Sequence, residues 1–166
     1  MRSDWYQATE LLDTLVMKAK GQDENGMDLQ FTIGKEGVSS SNSPSAFRHA
    51  MKAARPEKGK AMHTDILTRL GKIFENYIRE AKRATKANTK VRSLTLIVLT
   101  NGLWEGTRNK DDVRRKIVTF VKDLTGVVGG LGSRSVSIEF VQFGDDPDVT
   151  HRLRSLDDDL IWDGIP

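Results

Sequence analysis

The run Leu94-Thr95-Leu96-Ile97-Val98-Leu99-Thr100 carries no charge and stops at Asn101-Gly102. Alternate side chains of a strand point to opposite faces, so a run that is apolar or β-branched at both parities suits a strand buried on both sides. Strands of that kind belong to parallel sheets with helices on both faces. Leu94 to Thr100 is therefore the expected central strand. Ligands of open α/β sheets bind just past the carboxyl ends of the strands, which makes Thr100, Asn101 and Gly102 the first candidates for function.

A chain of 166 residues, 37% hydrophobic and 30% charged, suits one domain with one core, spanning 1–166. The absence of cysteine excludes disulfides, thiolate catalysis and Cys-ligated zinc. Nothing resembles a signal peptide or a long apolar span, so the expectation is a cytoplasmic protein with no membrane contact. The formal net charge is +3, but its distribution is uneven: Arg48 to Arg92 holds 13 Lys or Arg against 4 acids, and Asp145 to Asp163 holds 7 acids.

Along the chain, Ser3 can cap a helix with Trp5, Ala8, Leu11, Leu12, Leu15, Val16 and Ala19 on one face, ended by Gly21. Met27, Leu29, Phe31 and Ile33 alternate with polar residues, as in a strand toward the edge of a sheet. A polar loop from Gly34 to Asn42 follows. Ser43-Pro44 opens a short helix with Phe47, Ala50, Met51 and Ala54 inward. Thr64 starts a regular amphipathic helix through Ile66, Leu70, Phe74, Tyr77 and Ala81. Past the central strand, Asn109 can cap a helix with Val113, Ile117, Phe120, Val121 and Leu124 inward. Val136 to Phe143 reads as a second strong strand, and Asp146-Pro147 opens a last helix with Val149, Leu153, Leu156 and Leu160 inward. Strands separated by helices imply right-handed crossovers in a parallel sheet. The fold class is α/β, a doubly wound and mostly parallel sheet with helices on both faces. Five helices are too many for three strands, and the sheet is expected to be truncated at both ends.

The segments Leu96 to Trp104 (LIVLTNGLW), Ala61 to Leu70 (AMHTDILTRL) and Val136 to Gly144 (VSIEFVQFG) resemble the von Willebrand factor A (vWA) family, especially its small intracellular members, over nearly the whole chain. The resemblance implies a Rossmann-like vWA domain. In that family a metal-ion-dependent adhesion site takes Asp-x-Ser-x-Ser from a first loop, a Thr from a second and an Asp from a third. The hard cation needs oxygen ligands and keeps one position open for an acidic group of the partner. Thr64 matches the second-loop Thr. Thr100-Asn101-Gly102 matches the third loop, with Asn where Asp is usual, and Asp-x-Ser-x-Ser is absent. Thr64 and Asn101 are thus a vestigial metal pair, expected to lie close together. No cofactor is expected, and Mg²⁺ enters only if the missing motif stands upstream of Met1. The family's first strand lies between those at Met27 and Leu94. Its loss leaves two outcomes: Met27 to Ile33 pairs directly with Leu94 to Thr100, or an open groove remains, the expected one.

Each residue also has a plain reading. Thr64 can be a helix N-cap, Asn101 a turn residue and Trp104 a lid over the core rather than a partner anchor. His63, beside Thr64, reads as a loop residue rather than a catalyst. His49 and His151 lack metal-ligand spacing, and Gly129-Gly130-Leu131-Gly132 precedes a strand, so it is a connection and not a phosphate cradle. No nucleophile and base pair stands out, so the chain is not expected to be an enzyme. The leading function is protein interaction of vWA type with a degenerate or absent metal site, contacting an unidentified protein through Thr100, Asn101, Gly102, Trp104 and His63. The alternatives are nucleic-acid binding through the basic stretch Arg79 to Arg92, where Tyr77 is the nearby ring for stacking, and a metal-dependent hydrolase with acids at the strand ends.

Overall fold

A computed structural model describes residues 4–21, 25–33, 37–56, 64–104, 107–109, 111–129 and 136–158. They divide into two compact units, Met1–Asp65 and Ile66–Pro166, each taken by itself below. Among the described residues the architecture is broadly α/β, with five helices and two small sheets, one of them parallel.

The first unit holds α1 (Trp5–Ala19), β1 (Met27–Gln30), β2 (Gly37–Ser41) and α2 (Pro44–Ala53). Helix α1 buries Ala8, Leu12 and Val16, three positions of the expected face, and begins after Asp4; Ser3 lies outside the described residues. Helix α2 buries Phe47, Ala50 and Met51 as the 3.6-residue period requires. The Trp5 indole donates to the Met51 carbonyl at 3.1 Å and stacks on Phe31 with ring centroids 6.1 Å apart, tying α1 to α2 and to the residue after β1.

One expectation fails here. Gly37 to Ser41, expected within a polar loop, forms β2 and pairs antiparallel with β1. Gly-Val-Ser-Ser-Ser lacks the alternation that marks a strand, and two non-local features hold it in place. Leu29 O comes so close to Gly37 that a Cβ there would sit 2.8 Å away. Asp28, at the register shift between Met27 and Leu29, accepts the Ser40 N–H at 2.7 Å. The partner of β1 is thus a hairpin neighbour and not Leu94 to Thr100, and the strand stops at Gln30, short of the expected Ile33.

The second unit runs α3 (Ile66–Lys86), β3 (Leu94–Thr100), α4 (Asp112–Val128), β4 (Val136–Gln142) and α5 (Pro147–Asp158). Strands β3 and β4 are parallel, in register from Leu94 opposite Val136 to Thr100 opposite Gln142. A parallel pair needs a crossover, which α4 supplies. Leu94, Leu96 and Val98 of β3, with Val136, Ile138 and Phe140 of β4, pack against a core of Ile66, Leu70, Phe74, Tyr77 and Ala81 from α3 and Val113, Ile117, Phe120 and Leu124 from α4. At its centre Phe74 and Phe120 stack with centroids 4.0 Å apart, and Tyr77 meets Phe120 edge-on. The Tyr77 hydroxyl donates to the Arg92 carbonyl at 2.7 Å, and burial pushes its pKa above the ordinary value.

The start of α4 differs in detail from expectation. Asn109 does not cap it; the helix begins at Asp112, whose carboxylate accepts the Asn109 and Arg108 N–H groups while bonding Arg115. The Asn109 N–H, then the Arg115 guanidinium, hold that carboxyl below its ordinary pKa. A depressed carboxyl favours the folded state above its unfolded pKa and loses that effect as pH falls through the folded value. Strand β3, expected to be central, has one neighbour among the described residues, and its side chains from Leu96 to Leu99 are half-buried.

Phe120 is 2% exposed, and Phe120→Ala removes a ring from the middle of this core. Urea unfolding of the variant is expected to show a loss of about 3 to 5 kcal/mol. A loss within about 0.5 kcal/mol, the range of surface substitutions, would mean the α3–α4 contact does not support the unit.

Candidate functional site

The carboxyl end of β3 is shaped by one hydroxyl. Thr100, 7% exposed, accepts the Gly102 N–H at 2.9 Å and the Trp104 indole N–H at 3.1 Å on its Oγ1. Its carbonyl accepts the Phe143 N–H at 2.8 Å, extending the ladder toward β4. Asn101 Oδ1 accepts the Leu103 N–H at 3.3 Å, the Asx-turn use of an asparagine after a strand. The chain reverses at Gly102, where φ is +69° and a Cβ would fall on the Val149 side chain. Glycine is required there both by conformation and by the approach of α5.

Two residues that the sequence did not point to complete this end. Arg152, on the Val149 face of α5, donates from a guanidinium Nη1 to the Gly102 carbonyl at 2.8 Å and lies over the Trp104 ring, 5.5 Å from its centroid. Its Nε is buried with no hydrogen-bond partner among the described residues. Trp104 is 6% exposed, wedged between Arg152 and Phe140, whose ring centroid is 6.1 Å away. Leu103, between the Gly102 turn and the buried indole, is 51% exposed. The period of α5 held the signal for Arg152, which stands three residues after Val149. For Leu103 the signal was an apolar residue in a loop where a solvated one is usual.

Among the sequence-derived site residues, the structure therefore joins Thr100, Asn101, Gly102 and Trp104 in one turn, with the oxygens of Thr100 and Asn101 serving the turn itself. Thr64 is half-buried, belongs to the first unit and stands ahead of α3 in sequence, whereas Asn101 belongs to the second. His63 lies outside the described residues. His49 and His151 are exposed on α2 and α5. At the end of β4, Asp146 Oδ1 accepts the Asp148 and Val149 N–H groups and so serves the start of α5. No cluster of three His, Asp or Glu that could hold a metal occurs among the described residues, and none of their helices is long and apolar enough to cross a membrane. The basic residues Arg79, Lys82, Arg83, Lys86, Lys90 and Arg92 are all exposed, but the Tyr77 ring beside them is in the core.

No protein-family model, curated protein or solved structure matches this chain.

Gly102→Ala places a methyl on Val149 and an L side chain at positive φ. A destabilisation of about 2 to 5 kcal/mol is expected from overpacking and from the left-handed conformation together. Adding Val149→Ala should restore the overpacking part alone. Denaturant titration of both variants checks this, and a Gly102→Ala chain as stable as the parent would contradict the turn.

Proposed function

We propose that this chain is a protein-interaction module of von Willebrand factor A type with a degenerate metal-ion-dependent adhesion site. The finer fold that goes with this reading is a doubly wound sheet covered by helices on both faces, and the setting is the cytoplasm. The resemblance of LIVLTNGLW, AMHTDILTRL and VSIEFVQFG to that family supports the reading. So does the place of the turn, past the carboxyl ends of two parallel strands, where open α/β sheets bind ligands.

The observation that carries the proposal is Leu103: a large apolar side chain, 51% exposed, on a turn pinned by Thr100 from below and Arg152 from the side. An anchor of this kind loses little conformational freedom on binding, because its backbone is already fixed. The proposed contact is apolar and needs no cation, since Thr100 Oγ1 and Asn101 Oδ1 already accept hydrogen bonds in the turn. Binding rather than catalysis is the proposed role.

Affinity capture from the source cells, with the parent chain and Leu103→Asp side by side, tests this. One partner should be retained by the parent with or without EDTA and lost by Leu103→Asp, whose melting temperature stays that of the parent. With that partner purified, the loss should reach about 2 kcal/mol or more, roughly thirtyfold in Kd, as at other anchor residues. Equal retention by both chains would refute the anchor, and release by EDTA would refute the degenerate site.

A further inference from the structure

The stretch from Arg79 to Arg92 holds six Lys or Arg and one acid, a net of +5 against +3 for the whole chain. The rest of the chain is therefore slightly acidic, and the positive charge is concentrated where α3 ends and β3 begins. All six cations are exposed. None of Arg79, Lys82, Arg83, Lys86 and Lys90 makes an ion pair or a side-chain hydrogen bond among the described residues.

Folding alone does not account for them. A cation near a helix carboxyl end is favoured by the macrodipole, but the effect falls off within the last turn, which takes in Arg83 and Lys86 and not Arg79 or Lys82. Arg79 with Arg83, and Lys82 with Lys86, are like charges four residues apart on one helix, an arrangement that weakens it. The backbone beneath them is nonetheless fixed. The chain leaves α3 through Asn88 at φ +51°, Thr89 bonds the Ala84 carbonyl through its N–H at 2.9 Å and its hydroxyl at 3.2 Å, and the Tyr77 hydroxyl holds the Arg92 carbonyl at 2.7 Å. Lys90 thus stands between two fixed points at the end of the helix, and little order has to be gained for a ligand to meet it.

The composition of the patch selects among anions. From Arg79 to Lys86 the helix rises about 10 Å, and Lys90 and Arg92 follow it, so the complement is a run of negative charges rather than one. No exposed residue from 79 to 92 is aromatic or large and apolar, because Tyr77 and Ala81 belong to the core. A single strand finds no ring to stack on. A bilayer finds no apolar side chain to take up, the second signal that stable membrane binding needs. Charge matched to charge is the sequence-independent way in which proteins hold the phosphates of duplex nucleic acid.

We infer that the end of α3 and the residues leading to β3 bind the phosphate backbone of duplex nucleic acid, without reading its bases, through Arg79, Lys82, Arg83, Lys86, Lys90 and Arg92. This surface is at the amino end of β3 and Leu103 follows the carboxyl end, so its test leaves that residue untouched.

The probe is a fluorescein-labelled DNA duplex of about 24 base pairs and random sequence, titrated with the full chain while anisotropy is read from about 25 to 200 mM NaCl. The logarithm of the binding constant should fall linearly with that of the salt concentration, with a slope of about −3 to −5, as counterions leave roughly three to six phosphates. Lys82→Glu with Lys86→Glu should flatten the slope by about 2 and weaken binding at the lowest salt by about tenfold or more, with a melting temperature no lower than the parent's. Should that pair fail to fold, Lys82→Gln with Lys86→Gln reads the same loss of slope. Lys18→Glu with Lys52→Glu, exposed on α1 and α2, changes the net charge as much as the first pair does and should leave slope and affinity nearly as they were. No binding at the lowest salt, a binding constant that does not change with salt, or equal losses in the two Glu pairs would overturn the proposal. Tighter binding to phosphatidylserine vesicles or to poly-glutamate than to the duplex would overturn it too, assigning the patch to a membrane or to an acidic polypeptide.

Discussion

Parallel pairing of β3 with β4 is the constraint on which the second unit depends. Two parallel strands cannot be joined by a tight turn, so the chain must cross over, and a crossover is stable only if it buries a face against the sheet. Helix α4 does so through Val113, Ile117, Phe120 and Leu124. A crossover helix on a two-stranded sheet covers little area, and α3 adds to it, with Leu153 and Leu156 of α5 on the same core: Phe74 stacks on Phe120, and Gly71 is close enough to Lys116 that a Cβ would lie 3.0 Å from its Nζ. The strands, the crossover and α3 are therefore one cooperative assembly rather than separable elements.

The same pairing explains the turn at the carboxyl end. Because the ladder continues from the Thr100 carbonyl to Phe143, the backbone of Thr100 is committed to the sheet, and only its side chain is left to organise the reversal. The hydroxyl collects the Gly102 amide and the Trp104 indole, which brings a large ring back over the core and leaves Leu103 outside it. The guanidinium of Arg152 closes the arrangement by bonding the Gly102 carbonyl across the Trp104 ring. Cation–π contact and a charge-assisted hydrogen bond act on the same group, so α5 is held by the turn it helps to hold.

Much of this could be read in the residues. The uncharged run Leu94 to Thr100 marked β3, and the 3.6-residue period placed Leu70, Phe74, Phe120 and Leu124 in the core before any contact was known. The hairpin partner β2 could not be read, because Gly37-Val38-Ser39-Ser40-Ser41 owes its extended form to an Asp28 carboxylate and to a close approach by Leu29, both distant in sequence. At the site, Asn101-Gly102 announced a turn, and the turn is there. What Thr100 does in it depended on where Trp104 would lie, and the part played by Arg152 depended on α5 docking beside Gly102; neither is encoded locally.

The two sheets treat their edges differently, and the contrast bears on how an uncharged strand should be interpreted. The β1–β2 ribbon is short, shifts register between Met27 and Leu29, and is polar at Asp28, Gln30 and the three serines of β2. These are the devices by which edges avoid pairing with other chains. Strand β4 carries Glu139, exposed at the middle of its length. Strand β3 has none of them, and Ile97 and Leu99 are only half-buried on the face turned away from α3 and α4. An isoleucine and a leucine at such positions gain little from folding within this sheet alone, since transfer from water scales with the area removed from it. The composition of β3 is that of a strand covered on both faces, whereas among the described residues Leu94, Leu96 and Val98 are the side chains of β3 packed against the helix core.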